Sequence, residues 1–187
     1  MSTYFSIQSA EQTLQDMMTQ YCEDELYPDM KKLREVLTQL SDQQKLHILQ
    51  QKYNFWRPLE YTACRGHTEI ISTLLTSLQS SAYRLKLLMV REHTPLHTAA
   101  HWGRTDSVKI ILDCLTADQQ IQIMSVQTSS GMTAIQWAER SRHTDTVRVL
   151  REYQQRADNL MIEEYSKSIM IIIPLLLIIM SGVMRTL

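Results

Sequence analysis

Three stretches of this 187-residue chain lie over one another without a gap. They read WRPLEYTACRGHTE (residues 56–69), HTPLHTAAHWGRTD (93–106) and MTAIQWAERSRHTD (132–145), at offsets of 37 and 39 residues. Each block runs turn, short helix of small residues, tight turn, then a threonine and an acid opening a second helix. A period of this length marks a stacked array, because a unit of two short helices cannot bury its apolar face alone.

The matched positions have physical reasons. Thr94-Pro95 suits the first turn of a helix, where proline has no amide hydrogen to lose. Leu59, Leu96 and Ile135 share one position and Tyr61, Thr98 and Trp137 another, and both are predicted to face the core. Ala63, Ala99, Ala100 and Ala138 keep the first helix thin, so that neighbouring units approach closely. Gly66 and Gly103 suit a left-handed helix terminus. Thr68, Thr105 and Thr144 read as N-caps, with Glu69, Asp106 and Asp145 placing negative charge at the positive helix end. Ile71, Leu74, Leu75 and Leu78, then Val108, Ile111, Leu112 and Leu115, give the second helices an apolar stripe.

The middle block carries T-P-L-H-x-A-A (94–100) and a glycine before the second helix, and in this it resembles the ankyrin repeat family. The resemblance implies an all-α ankyrin-type α-solenoid. It also gives His97 a structural hydrogen bond within the turn. Arg57 and Glu60 depart from the pattern in the first block; Ala134, Glu139 and Arg142 depart in the third. A terminal unit has one neighbour and tolerates polar residues, so the third block closes the array.

The extra length of each unit repeats too. SDQQKLHIL (41–49) and ADQQIQIMS (117–125) align, with capping boxes Ser41/Gln44 and Thr116/Gln119, and Ser81–Leu88 holds the middle place. A short extra helix is therefore predicted after each outer helix, then a finger returning to the next turn. Leu33, Val36, Leu37 and Leu40 have outer-helix spacing. Upstream, Ser9 and Gln12 open a helix with the stripe Leu14, Met17, Met18, Tyr21 and Cys22, ended by Pro28. The organisation read from this is an N-terminal helical cap and degenerate half repeat over 1–53, repeats over 54–92, 93–130 and 131–155, a linker over 156–164, and a single hydrophobic helix over 165–185.

That last helix reads IMIIIPLLLIIMSGVM over 169–184, without a charge. Its sixteen residues span about 24 Å as a helix, and residues from Tyr165 extend it to about 30 Å, the thickness of a hydrocarbon core. Tyr165 suits the interface and Lys167 can snorkel. The expectation is a tail anchor in a lipid bilayer through 165–185, with no secretory signal ahead of it. Arg151, Arg156 and Lys167 before the span, against Arg185 after it, place the repeats in the cytosol; the sequence does not name the membrane. The alternative is a soluble interaction protein whose apolar helix packs on its own repeats or on a partner.

A formal net charge of −1 with interleaved signs gives no nucleic-acid footprint. Four glycines leave no phosphate-cradling loop, and Cys22, Cys64 and Cys114 are too scattered for a zinc site or disulfide framework. His93, His97 and His101 share a helical spacing without further ligands nearby, so neither a metal nor a cofactor is expected. No acid–base or nucleophile constellation is present, which leaves binding of another protein. The ankyrin resemblance implies that partners meet the turn tips and the exposed side of the first helices. Here those positions are Trp56, Cys64 and Arg65, then His93, His101 and Trp102, then Met132, Arg140 and Ser141. Trp and Arg anchor interfaces most often, although either of Trp56 and Trp102 can equally pack against the next unit.

Overall fold

The structure is a computed structural model that describes residues 2–89 and 93–183, with side chains for 8–89, 93–167 and 170. Among the described residues there are eleven helices and no strand, only an isolated bridge between Tyr53 and Trp56. In chain order they are α1 (Ser2–Glu23), α2 (Met30–Gln39), α3 (Asp42–Leu49), α4 (Pro58–Arg65), α5 (Thr68–Thr76), α6 (Ser81–Leu88), α7 (Pro95–His101), α8 (Thr105–Asp113), α9 (Ala117–Met124), α10 (Ala134–Arg140) and α11 (Thr144–Val183). They pack in three layers. The inner helices α4, α7 and α10 stack in sequence, the outer helices α2, α5, α8 and α11 stack behind them, and the extra helices α3, α6 and α9 form a third row.

The inner layer is thin because its contact residues are small. Ala63, Ala99, Ala100 and Ala138 are fully buried, and Leu59 and Leu96 fill the space between layers. Behind them the predicted stripes of α5 and α8 close the core: Ile71, Leu74, Leu75, Val108, Ile111 and Leu112 have no exposed surface. Parallel stacking of the outer helices follows from two hydrogen bonds. Thr105 meets Thr146 near the N-termini of α8 and α11 (2.8 Å), and the Tyr153 hydroxyl meets Asp113 where α8 ends.

Three details differ from the sequence expectation. Helix α1 begins at Ser2 rather than near Ser9, and Ser9 lies inside it with its carbonyl accepting from Thr13. Its stripe packs against α2, α3 and α4, so α1 takes the inner-helix place and completes what reads as a half unit. Second, Thr68, Thr105 and Thr144 are first helical residues, not caps; before the first two, His67 and Arg104 hold the cap positions without a side-chain bond. A single residue separates the glycine from the helix, which is too tight to leave threonine outside it. Third, residues 156–164 are not a break but part of α11, and Ala157 within them is buried.

The outer helices end for a reason that α11 lacks. Ser41, Ser80 and Thr116 follow α2, α5 and α8 closely and cap the extra helices. Counting 39 residues on from Asp113, residues 152–157 are Glu, Tyr, Gln, Gln, Arg and Ala, with neither cap nor glycine. Nothing in that stretch stops the helix, and α11 runs for 40 residues, about 60 Å.

The cation four residues past each cap follows the same logic. Lys45, buried, donates to the Ser77 carbonyl at the end of α5 (2.7 Å), and Arg84 donates to the Cys114 carbonyl at the end of α8 (3.3 Å). Both meet orphan carbonyls at the negative end of the next unit's outer helix. The equivalent residue on α9 is the uncharged Gln120, which donates back to Leu112 (2.9 Å). No helix end lies beyond it to cap.

The turns between paired helices carry left-handed residues at matching places: Gly66, Gly103 and Arg142 have φ of 77°, 64° and 62°. At Gly103 the ring of His143 would lie 2.5 Å from an added Cβ. Gly103→Ala should therefore lower unfolding stability in urea by about 1–3 kcal/mol. Arg142→Gly relieves the same strain and should raise it by about 0.5–1 kcal/mol; two changes of the same sign would contradict this account.

Candidate functional site

The inner helices and the fingers between units leave an open groove of about 720 Å³ on one face. Its walls come from the finger before α4 (Lys52, Phe55, Trp56), from the start and end of α7 (His93, Thr98, His101, Trp102) and from Trp137 of α10. Phe55 is 79 % exposed and Trp102 49 % exposed. Aromatic faces left this open on an otherwise well-packed stack are of the kind that suits contact with a partner. A second groove of about 390 Å³ shares Phe55, Trp56 and Trp102 and continues past Asn54, Cys64, Arg65 and Arg104.

The groove is built on a rigid frame. Thr94 and His97 are both buried and bond reciprocally: the Thr94 amide donates to His97 Nδ1 (3.4 Å) and the His97 amide donates to Thr94 Oγ1 (3.4 Å). With Nδ1 accepting, Nε2 carries the proton and donates to the Val126 carbonyl of the next finger (3.1 Å). One imidazole thus pins its own turn and its neighbour's. Burial, helped by nearby His93, pushes its pKa down to about 4. In the last unit Thr133 and Gln136 repeat the cap without a histidine, since no further finger has to be reached.

A sequence profile described as "Ankyrin repeats (3 copies)" matches residues 30–123 and again 59–162, well over half of the chain. This protein belongs to the ankyrin repeat family. Over 109 residues it is also 28 % identical to protein phosphatase 1 regulatory subunit 12A of Rattus norvegicus. That match takes in 58 % of this chain and only 9 % of the relative's length.

Of the positions that the ankyrin pattern offers to a partner, Trp56, His93, His101 and Trp102 converge on the larger groove, and Arg65 lies on the smaller one. Trp56 does both things open to it: it lines the groove and stands edge-on to Tyr61, centroids 6.4 Å apart. Arg65 is engaged within the fold, paired with Glu25 and stacked over Tyr61 at 5.3 Å. Met132, Arg140 and Ser141 line neither groove. Arg140 is exposed beside the Met132 sulfur (3.7 Å), and Ser141 bonds His101 (3.0 Å). Cys64 is half-buried, and burial raises its thiol pKa, which makes it a poor nucleophile.

Three groove residues were not legible in the pattern. Lys52 and Phe55 precede the repeated block, and only the bridge between Tyr53 and Trp56 turns them into the groove. Trp137, read as a core residue, is half-exposed here and lines the groove, its indole donating to Thr128 (3.3 Å). Among the described residues no further repeat packs over it. Both His97 nitrogens are engaged within the fold, and among the described residues no three His, Cys, Asp or Glu are placed to hold an ion.

The depressed His97 pKa fixes the sign of a pH effect. Because the cation is disfavoured in the folded state, its stabilising contribution is complete above the ordinary value of 6.5 and is lost as pH falls from there to about 4. The loss should not exceed about 3 kcal/mol. His97→Asn should lower stability near neutral pH yet flatten the acid limb, read from urea midpoints over that range; an unchanged limb would sink this assignment.

Proposed function

We propose that this chain is a non-catalytic adaptor, whose aromatic groove recruits a partner protein and whose apolar C-terminal helix confines that complex to a bilayer with the repeats on the cytosolic side. The single observation that carries recruitment is the open aromatic face formed by Phe55, Trp56, Trp102 and Trp137 on a pinned frame. Similarity to a protein whose name describes a regulatory subunit is in keeping with a non-catalytic role.

The tether rests on the sequence. Among the described residues no helix is long and apolar enough to cross a membrane. Apart from Met170, the side chains of the apolar run 169–184 lie outside the described residues, as do Met184 and Arg185 altogether. What is described supports an anchoring role. Leu160, Met161, Ile162, Tyr165 and Met170 are exposed on α11 beyond Ala157, the last buried residue among its described side chains. Confinement raises the local concentration of a recruited partner without a new contact. The second reading, a soluble protein whose apolar helix packs on its own repeats or on a partner, is favoured by the same exposed patch.

Alkaline carbonate extraction of cells expressing the full chain, or residues 1–164 alone, separates the two. The full chain should stay with the membrane pellet and the shortened chain should not. If carbonate releases both, the tether falls and the soluble reading takes its place. Trp102→Ala should also weaken capture of the recruited partner by about tenfold or more while leaving the thermal midpoint nearly unchanged; undiminished capture would move the binding face elsewhere.

A further inference from the structure

The charges around the groove narrow the kind of partner, granted the recruitment reading above. Among the lining cations, Arg57 is spent on Glu60 (2.8 Å) and Arg65 on Glu25. Lys52 and Arg104 have no carboxylate within ion-pair distance among the described residues; Arg104 uses its Nε on the Cys64 carbonyl (2.9 Å). On the acidic side only Glu23 is left over. Near the groove residue His101, Arg140 is exposed and has no carboxylate within ion-pair distance among the described residues. The face therefore carries a surplus of unspent positive charge around an aromatic centre, although the chain as a whole has a formal net charge of −1.

We propose that the occupant is an extended acidic peptide of a partner protein. One bulky apolar side chain lies on each side of the wall shared by the two grooves, formed by Phe55, Trp56 and Trp102, and carboxylates stand opposite Lys52 and Arg104. Aromatic walls supply the buried contact area that anchors a peptide, and the unpaired cations select its sign and speed its arrival. Aromatic and basic residues together also suit single-stranded nucleic acid. Only two lining cations, Lys52 and Arg104, are unspent, too few to track a continuous phosphate chain, and this favours the peptide.

The test pans a displayed library of random peptides, about twelve residues long, over the full chain held in a mild non-ionic detergent. Selected peptides are then titrated by fluorescence polarisation. Enriched sequences should be net negative and carry at least two large apolar residues. Their affinity should fall about tenfold or more with Lys52→Glu plus Arg104→Glu, with Trp102→Ala, and on raising salt from about 50 to about 500 mM. All these residues are exposed, and circular dichroism melts confirm that each variant is folded. If the panel is neutral or basic, or if charge reversal leaves affinity intact while Trp102→Ala abolishes it, the acidic assignment is overturned and the groove survives. Peptides indifferent to Trp102→Ala would overturn the groove itself, and so would failure to enrich any peptide. Displacement of the peptides by an oligothymidylate of equal affinity would give the face to single-stranded nucleic acid instead.

Discussion

The stack depends on what happens at the far end of each outer helix. Four carbonyls there have no intrahelical partner, and in a close-packed array they cannot all turn to water. Here the neighbouring unit supplies the donor. Lys45 reaches the end of α5 and Arg84 the end of α8, each from the start of an extra helix. The cation is matched to the negative end of the helix dipole as well as to an oxygen. Each unit therefore completes the one after it, and a single unit left alone would carry both an exposed apolar face and uncapped ends. The extra helices, which lengthen the unit, are there to bring that cation into place.

Burial and capping together define the register of the array, and His97 fixes the fingers to it. An imidazole that accepts from its own turn and donates to the next finger leaves the two turns little freedom to shift independently. The aromatic face is built on these turns, so its shape is set before any partner arrives. Preorganisation of this kind lowers the ordering cost of binding. It also explains why the exposed tryptophan Trp102 is not a packing fault: it ends a helix whose first six residues, Pro95 to Ala100, are all buried.

Much of this was readable from the letters. The helical periodicity of α5 and α8, the small residues of the inner layer, the capping boxes of α3 and α9 and the left-handed turns at Gly66 and Gly103 all appear where local chemistry dictates them. What escaped depends on neighbours. Whether Trp137 faces core or solvent is decided by the absence of a following unit, not by its place in the repeat. Phe55 reaches the groove from within a four-residue turn closed by Tyr53 and Trp56, and Lys52 directly precedes that turn. The start of α1 was lost because serine inside a helix reads like a cap when its own carbonyl bonds are unseen. Thr68 and Thr105 misled in the opposite direction, since turn length rather than side-chain chemistry decides which residue stands outside the helix.

Helix α11 joins two jobs in one rod. Its first turns are the outer helix of the last unit, bonded to α8 through Thr146 and Tyr153, and its backbone continues without interruption to Val183. A flexible hinge would let the repeats swivel freely about whatever grips the distal end. An unbroken helix does not: a grip on its far end sets both the tilt and the azimuth of the aromatic face. Under the tethering proposed above, the groove is a fixed bearing rather than a tethered float.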